Sequence, residues 1–257
     1  MRNEVRLTVL ALLCGHLAPA ADLHVNELGY LDMQGLSVLA YQNQFHDVFR
    51  DQKLGGIEII LHGERIATDG EVRLLPTPEQ WDTVPKFTER RRGPSANQLV
   101  AYSGYPDLEV SYRIEVTAEA QGFRIAVHLD HPLPQSLVGK AGFNLDFLPT
   151  AYFGKSYLLD HSSGIFPRHP IGPMQRGTDG AAEPTPLGSG RQIVLSPEDP
   201  LTRVSIHSDG SALCADSITF SAGIRSTTSP MYHPWAPPRN WSPTATIEPT
   251  TASFPAV

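Results

Sequence analysis

Much that would sort this chain quickly is missing from it. There are 2 cysteines in 257 residues, Cys14 and Cys214, too few for a disulfide framework. Charged residues are only 18% of the chain and the formal net charge is -7. No stripe of Lys and Arg interleaves with aromatics, so a nucleic-acid partner is not expected. No apolar run approaches the ~20 residues that span a bilayer as a helix, so no membrane span is expected either. The sequence lacks a Gly-x-Ser-x-Gly elbow, a Gly-x-x-x-x-Gly-Lys-Ser/Thr phosphate loop and a Gly-x-Gly-x-x-Gly fingerprint. These absences leave no catalytic residue and no cofactor to predict. A convincing three-turn helix is lacking as well. The 23 prolines and 21 glycines argue against one, because Pro removes a backbone donor and Gly costs helix entropy.

What is present is period-two patterning. Leu108, Val110, Tyr112, Ile114 and Val116 would share one face, with Glu109, Ser111, Arg113, Glu115 and Thr117 on the other. Phe123, Ile125, Val127 and Leu129 repeat the pattern after a loop at 118–122. Such alternation predicts a hairpin of half-buried antiparallel strands. Further strands are predicted at 36–41, 57–62, 71–75, 141–148, 155–160, 192–195 and 202–207. Residues 164–190 are rich in Gly and Pro and predict a long loop or lid. After about Ser211 the alternation fades into Ser, Thr and Pro, which predicts a poorly structured tail, either a linker or a stretch in a lost reading frame. At the other end, a charged start, an apolar run from Leu7 to Leu13 and small residues at 18–21 have the layout of a secretory signal. The expected organisation is therefore a signal peptide at 1–21, a β-sandwich module at 22–210 and a tail at 211–257. The expected fold is an all-β, large antiparallel sandwich.

The ten histidines form no tight metal signature, so no metal is predicted. Asp130-His131 and Asp160-His161 fall at strand ends, where polar residues make turns. Asp146, Asp160 and Glu183 are eligible carboxylates for glycoside hydrolysis, but sequence alone gives no separation between them. Aromatics near strand ends are the better lead, because sugar rings pack their C–H faces on aromatic planes. The candidate substrate-binding residues are Tyr152, Tyr157 and Phe166, with Arg168 and His169 in a loop held between prolines and glycines.

Several strings occur in the same order elsewhere. They are HVNELGY at 24–30, GGIEIILHGERIA at 55–67, LPTPEQWD at 75–82, VGKAGFNL at 138–145, YFGKSY at 152–157 and GIFPRH at 164–169. Together they resemble the N-terminal β-sandwich region of large bacterial secreted glycoside hydrolases related to family 9, the cellulase and endoglucanase group, across residues 23–206. The resemblance implies export and a role in plant polysaccharide breakdown. It also implies that catalysis belongs to a helical barrel further along a longer chain, so the partners are a polysaccharide or oligosaccharide and that catalytic domain. On this reading the chain is a non-catalytic front module. Two alternatives stand beside it: a stand-alone carbohydrate-binding envelope protein, and a small sugar epimerase or lyase using His161, His169 and Asp160.

Overall fold

The computed structural model describes residues 22–42, 56–74, 85–120, 122–138, 141–167, 175–176, 182–183, 186–208, 213–216, 222–225 and 244–249. Strands dominate them. In chain order they are β1 (His24–Val25), β2 (Leu31–Met33), β3 (Leu36–Ala40), β4 (Ile57–Leu61), β5 (Glu64–Leu74), β6 (Lys86–Arg92), β7 (Gln98–Tyr105), β8 (Val110–Glu119), β9 (Gly122–Leu129) and β10 (Ala141–Phe147). A single helical turn, α1 (Pro149–Tyr152), precedes β11 (Ser156–Leu159) and β12 (Ser162–Ile165). The remainder are β13 (Gln175–Arg176), β14 (Ala182–Glu183), β15 (Pro186–Gly190), β16 (Gln192–Leu195), β17 (Val204–Ser208), β18 (Leu213–Asp216), β19 (Ala222–Arg225) and β20 (Thr244–Pro249).

Two antiparallel sheets are stacked as a sandwich, as the patterning predicts. The first runs β1-β2-β3-β4-β5-β10-β19-β18-β15, and the second β12-β11-β16-β17-β20-β9-β8-β7-β6. The core lies between them. In β8, Val110, Tyr112, Ile114 and Val116 are buried while Ser111, Arg113, Glu115 and Thr117 reach solvent. Phe123, Ile125 and Val127 of β9 point inward beside them, and Ile66, Val72, Phe143 and Phe147 of β5 and β10 belong to the same apolar cluster.

Particular bounds differ from expectation. β8 starts at Val110 rather than Leu108, because Pro106–Leu108 coils into a 3₁₀ turn and Glu109 has φ +54°. The hairpin pairs out to Glu119 opposite Gly122, so its connection is shorter than the 118–122 loop. β6 was not foreseen. It has one apolar residue among Lys, Thr, Glu and three Arg, and it is the outermost strand of its sheet, where charge discourages further pairing.

Two larger expectations are corrected. The 164–190 stretch is not one loop, since it holds the last residues of β12, the β13–β14 ribbon and β15. β15 is the edge of the first sheet and opens with Pro186, and an edge is where proline is tolerated. The tail is not outside the sandwich. β18 and β19 extend the first sheet, and β20 sits between β17 and β9 in the middle of the second. Ile247 of β20 is buried opposite Ile206 and Phe123. The signal-peptide reading at 1–21 and the rest of the tail lie outside the described residues.

The two flanks of the sandwich are tied differently. On one, Arg90 of β6 donates to the carbonyls of Gly29 and Ala40, and Arg92 donates to Asn26 O at 2.8 Å. Gly29, whose carbonyl accepts from Arg90, has φ +84°, a backbone conformation that favours glycine. On the other flank the chain passes from β15 in one sheet to β16 in the other through Arg191 alone.

Candidate functional site

Asp160 sits at that sheet-switching corner. Its φ is +48°, in a two-residue turn between β11 and β12, and its carboxylate accepts from the backbone N–H of Arg191 at 3.0 Å and of Gln192 at 2.9 Å. Gly190 leaves room for it, since a Cβ there would stand 2.6 Å from Asp160 Oδ2 and the carboxylate would have to shift. The carboxylate thus holds the corner, in keeping with the turn reading of Asp160-His161. His161 is exposed in the same turn, and His169 lies outside the described residues. The third reading's set thus lies only in part within the described residues. Asp146 is held by Arg73, Nη2 to Oδ2 at 2.7 Å. Asp130 and His131 follow β9 at the surface, again in a turn.

The aromatics predicted to contact sugar are packed against each other. Tyr152 is 0% exposed, Phe166 3% and Tyr157 9%. Phe147 meets Tyr152 edge-on at 5.6 Å, Tyr152 meets Phe166 at 6.1 Å, and Phe166 meets Tyr157 at 4.9 Å. Tyr152 also donates its hydroxyl to Thr202 O at 3.0 Å, and burial pushes that phenol well above the usual tyrosine range. Their order at strand ends comes from core packing, which an aromatic at an inward position serves as well as a platform does. Arg168 lies outside the described residues.

Around this cluster is a polar latch. Lys155 Nζ donates to Asp199 Oδ2 at 2.6 Å and to Thr202 Oγ1 at 2.8 Å, and Glu198 accepts from the Ser156 N–H at 2.8 Å and from its hydroxyl. The hydrogen bond from Lys155 is the main cause holding the Asp199 carboxyl below its ordinary value. Every charged member has a partner, so the latch fixes the 196–203 segment over the end of the sandwich.

A second polar group was missed by sequence reasoning and lies inside the core. Glu71 of β5 is 2% exposed. It accepts from Tyr41 OH at 2.5 Å, Tyr112 OH at 2.7 Å and its neighbour Val72 N–H at 2.8 Å. Tyr105 donates to Val72 O at 2.7 Å beside them. Burial, reinforced by the Glu71 charge, raises the Tyr41, Tyr105 and Tyr112 phenols well above their usual range. Tyr112 and Tyr105 belong to one sheet and Glu71 to the other, so this network pins the sheets together. The signal for it was a glutamate within an apolar strand, visible but indistinguishable from a solvent-facing position.

The solvent-facing surface of β6–β9 is a further candidate. Register aligns Glu89, Tyr102, Arg113 and His128 in one row across the four strands, with Arg91, Val100, Glu115 and Ala126 in the next. Arg91 lies over the Tyr102 ring, 4.6 Å from its centroid, and donates to the Tyr102 hydroxyl. Glu115 takes Arg113 Nε at 2.9 Å and Gln98 Nε2 at 3.3 Å. His128 Nε2 approaches Glu115 Oε2 at 3.3 Å, close enough for an ion pair but without hydrogen-bond geometry. The polar face that alternation predicts is therefore a fixed surface of donors and acceptors around one half-exposed phenol.

Among the described residues no group of three or more His, Cys, Asp or Glu could hold a metal ion. No helix there is long and apolar enough to cross a membrane. The chain matches no family model and no curated protein.

Proposed function

We propose that this chain is the non-catalytic, glycan-contacting β-sandwich module of a secreted glycoside hydrolase that acts on plant polysaccharide such as β-glucan. The observation that carries the reading is the Tyr102 row: a partly exposed aromatic ring on the outer sheet face with Arg91 stacked over it, and Glu89, Arg113 and His128 in register alongside. A sugar ring packed against Tyr102 and the Arg91 guanidinium stacked on it covers its C–H face while its hydroxyls meet these groups. The resemblance of the strings between residues 24 and 169 adds export and a catalytic domain on the same longer chain.

Affinity electrophoresis in gels containing soluble β-glucan tests the reading. Wild-type protein is retarded, and Tyr102→Ala weakens binding roughly threefold to tenfold, the equivalent of about 0.7–1.4 kcal/mol of lost stacking. Pure protein releases no reducing sugar. Unretarded migration with every plant glycan tried, or measurable hydrolysis, refutes it.

A further inference from the structure

Strand β6 has a charge balance unlike the rest of the molecule. Lys86, Arg90, Arg91 and Arg92 stand against the single carboxylate Glu89, in a chain of net charge -7. Four other arginines are matched with carboxylates, Arg65 with Glu58 and Arg73 with Asp146 in the first sheet, and Arg113 with Glu115 and Arg124 with Glu119 in the second. Among the described residues, those of β6 have no carboxylate partner of this kind. Arg90 is spent on the Gly29 and Ala40 carbonyls, Arg92 on Asn26 O and Arg91 on the Tyr102 phenol, all neutral acceptors. Glu89 contributes a weak field at Arg91 without an ion pair. Neutral acceptors satisfy guanidinium hydrogens but leave the positive charge uncompensated. Lys86 and Arg91 are exposed on the outer face of this edge strand, with Arg91 over Tyr102, whereas Arg90 and Arg92 stand opposite Ala101 and Leu99 on the face turned toward the other sheet.

We infer that β6 forms a carboxylate subsite, at which Arg91, with Lys86 on the same face of the strand, holds the acidic groups of a uronate-bearing glycan laid beside Tyr102. The inference rests on the glycan-contacting reading and narrows its substrate class. Guanidinium suits a carboxylate because its planar donors match the two oxygens. The negative charge of the whole chain opposes any polyanion, so attraction must come from this strand.

The experiment compares retardation by carboxymethylcellulose and by hydroxyethylcellulose, which share a β-glucan backbone and differ in charge, with dextran sulfate as a third polymer. The proteins are wild type, Arg91→Gln, Lys86→Gln, Arg91→Lys and Arg124→Gln. The last removes the same charge from an arginine already paired on this face. Circular dichroism verifies that each is folded. Carboxymethylcellulose is expected to bind wild type more tightly than hydroxyethylcellulose. Arg91→Gln and Lys86→Gln each weaken that binding roughly threefold to fivefold, leave hydroxyethylcellulose unaffected, and lose their effect at high salt. Arg91→Lys falls between, and Arg124→Gln matches wild type. Equal binding of the two cellulose derivatives, or indifference to both Gln variants, overturns the inference while sparing the glycan reading. Dextran sulfate binding as tightly as carboxymethylcellulose overturns the carboxylate selectivity. Binding of carboxymethylcellulose alone, lost in the Gln variants and kept in Tyr102→Ala, upholds the subsite and removes the neutral-glycan reading.

Discussion

Glu71 is the residue whose replacement should be felt most. Its carboxylate sits in the core and satisfies three donors: the Tyr41 hydroxyl, the Tyr112 hydroxyl and the Val72 N–H. Glu71→Ala strands all three. A buried donor without a partner costs about 1–3 kcal/mol, and relief from burying the charge offsets part of the total. The expected net loss is about 3–5 kcal/mol, the range for breaking a buried charged pair from one side. Glu71→Gln keeps an acceptor oxygen and should lose only about 1–2 kcal/mol. Tyr41→Phe and Tyr112→Phe should each cost about 1.5–3 kcal/mol, as hydrogen bonds to a charged acceptor do. Combining Glu71→Met with both Phe replacements removes donors and acceptor together and should recover most of the Glu71→Ala loss. Urea unfolding followed by circular dichroism measures all five, with the denaturant slope unchanged if only stability moves. A Glu71→Ala protein within about 1 kcal/mol of wild type would refute the network's role, as would a triple variant no better than Glu71→Ala.

Three further outcomes follow from the structure. Burial raises the phenols of Tyr41, Tyr105, Tyr112 and Tyr152 in the folded state. Unfolded tyrosines ionise near pH ~10, so stability is full below that value and falls as pH rises beyond it, by up to about 1.4 kcal/mol per tyrosine per pH unit. Tyrosinate absorbance should therefore appear in step with loss of circular dichroism rather than before it. Asp160→Ala removes the acceptor for two backbone N–H groups at the β15–β16 corner and should cost about 1–2 kcal/mol in urea unfolding, with glycan retardation unchanged. Finally, Ile247→Asp places a charge in the middle of the second sheet, between Ile206 and Phe123, and should yield insoluble protein on expression. Soluble, cooperatively melting Ile247→Asp protein would mean that β20 does not belong there.

The β8–β9 hairpin was legible because each strand has one apolar face and one polar face, and period two leaves a single way to bury the first. The two-sheet sandwich followed from the same pattern repeated along the chain. Strands that cannot show this pattern stayed hidden. β6 is charged because it is an edge, β7 is buried over most of both faces, and β15 and β20 are short segments among Pro, Ser and Thr. Alternation also marked Arg113, Glu115 and their neighbours as solvent-facing, which located the polar side of the candidate surface without identifying it as a site.

The amino-acid sequence by itself determined the fold class, the antiparallel pairing of its central hairpin and the turn role of Asp160-His161, because these rest on interactions between residues close along the chain. Which aromatics face solvent was decided only in three dimensions. Tyr152, Tyr157 and Phe166 pack together from segments joined by tertiary contact, whereas Tyr102 is left outside by the register of β6 against β7. Glu71 depends likewise on tyrosines 30 and 41 positions away, and Arg91 on a ring 11 positions along. Sequence periodicity assigns a side chain to a face, but the pairing of faces and the matching of each charge require the folded sheets.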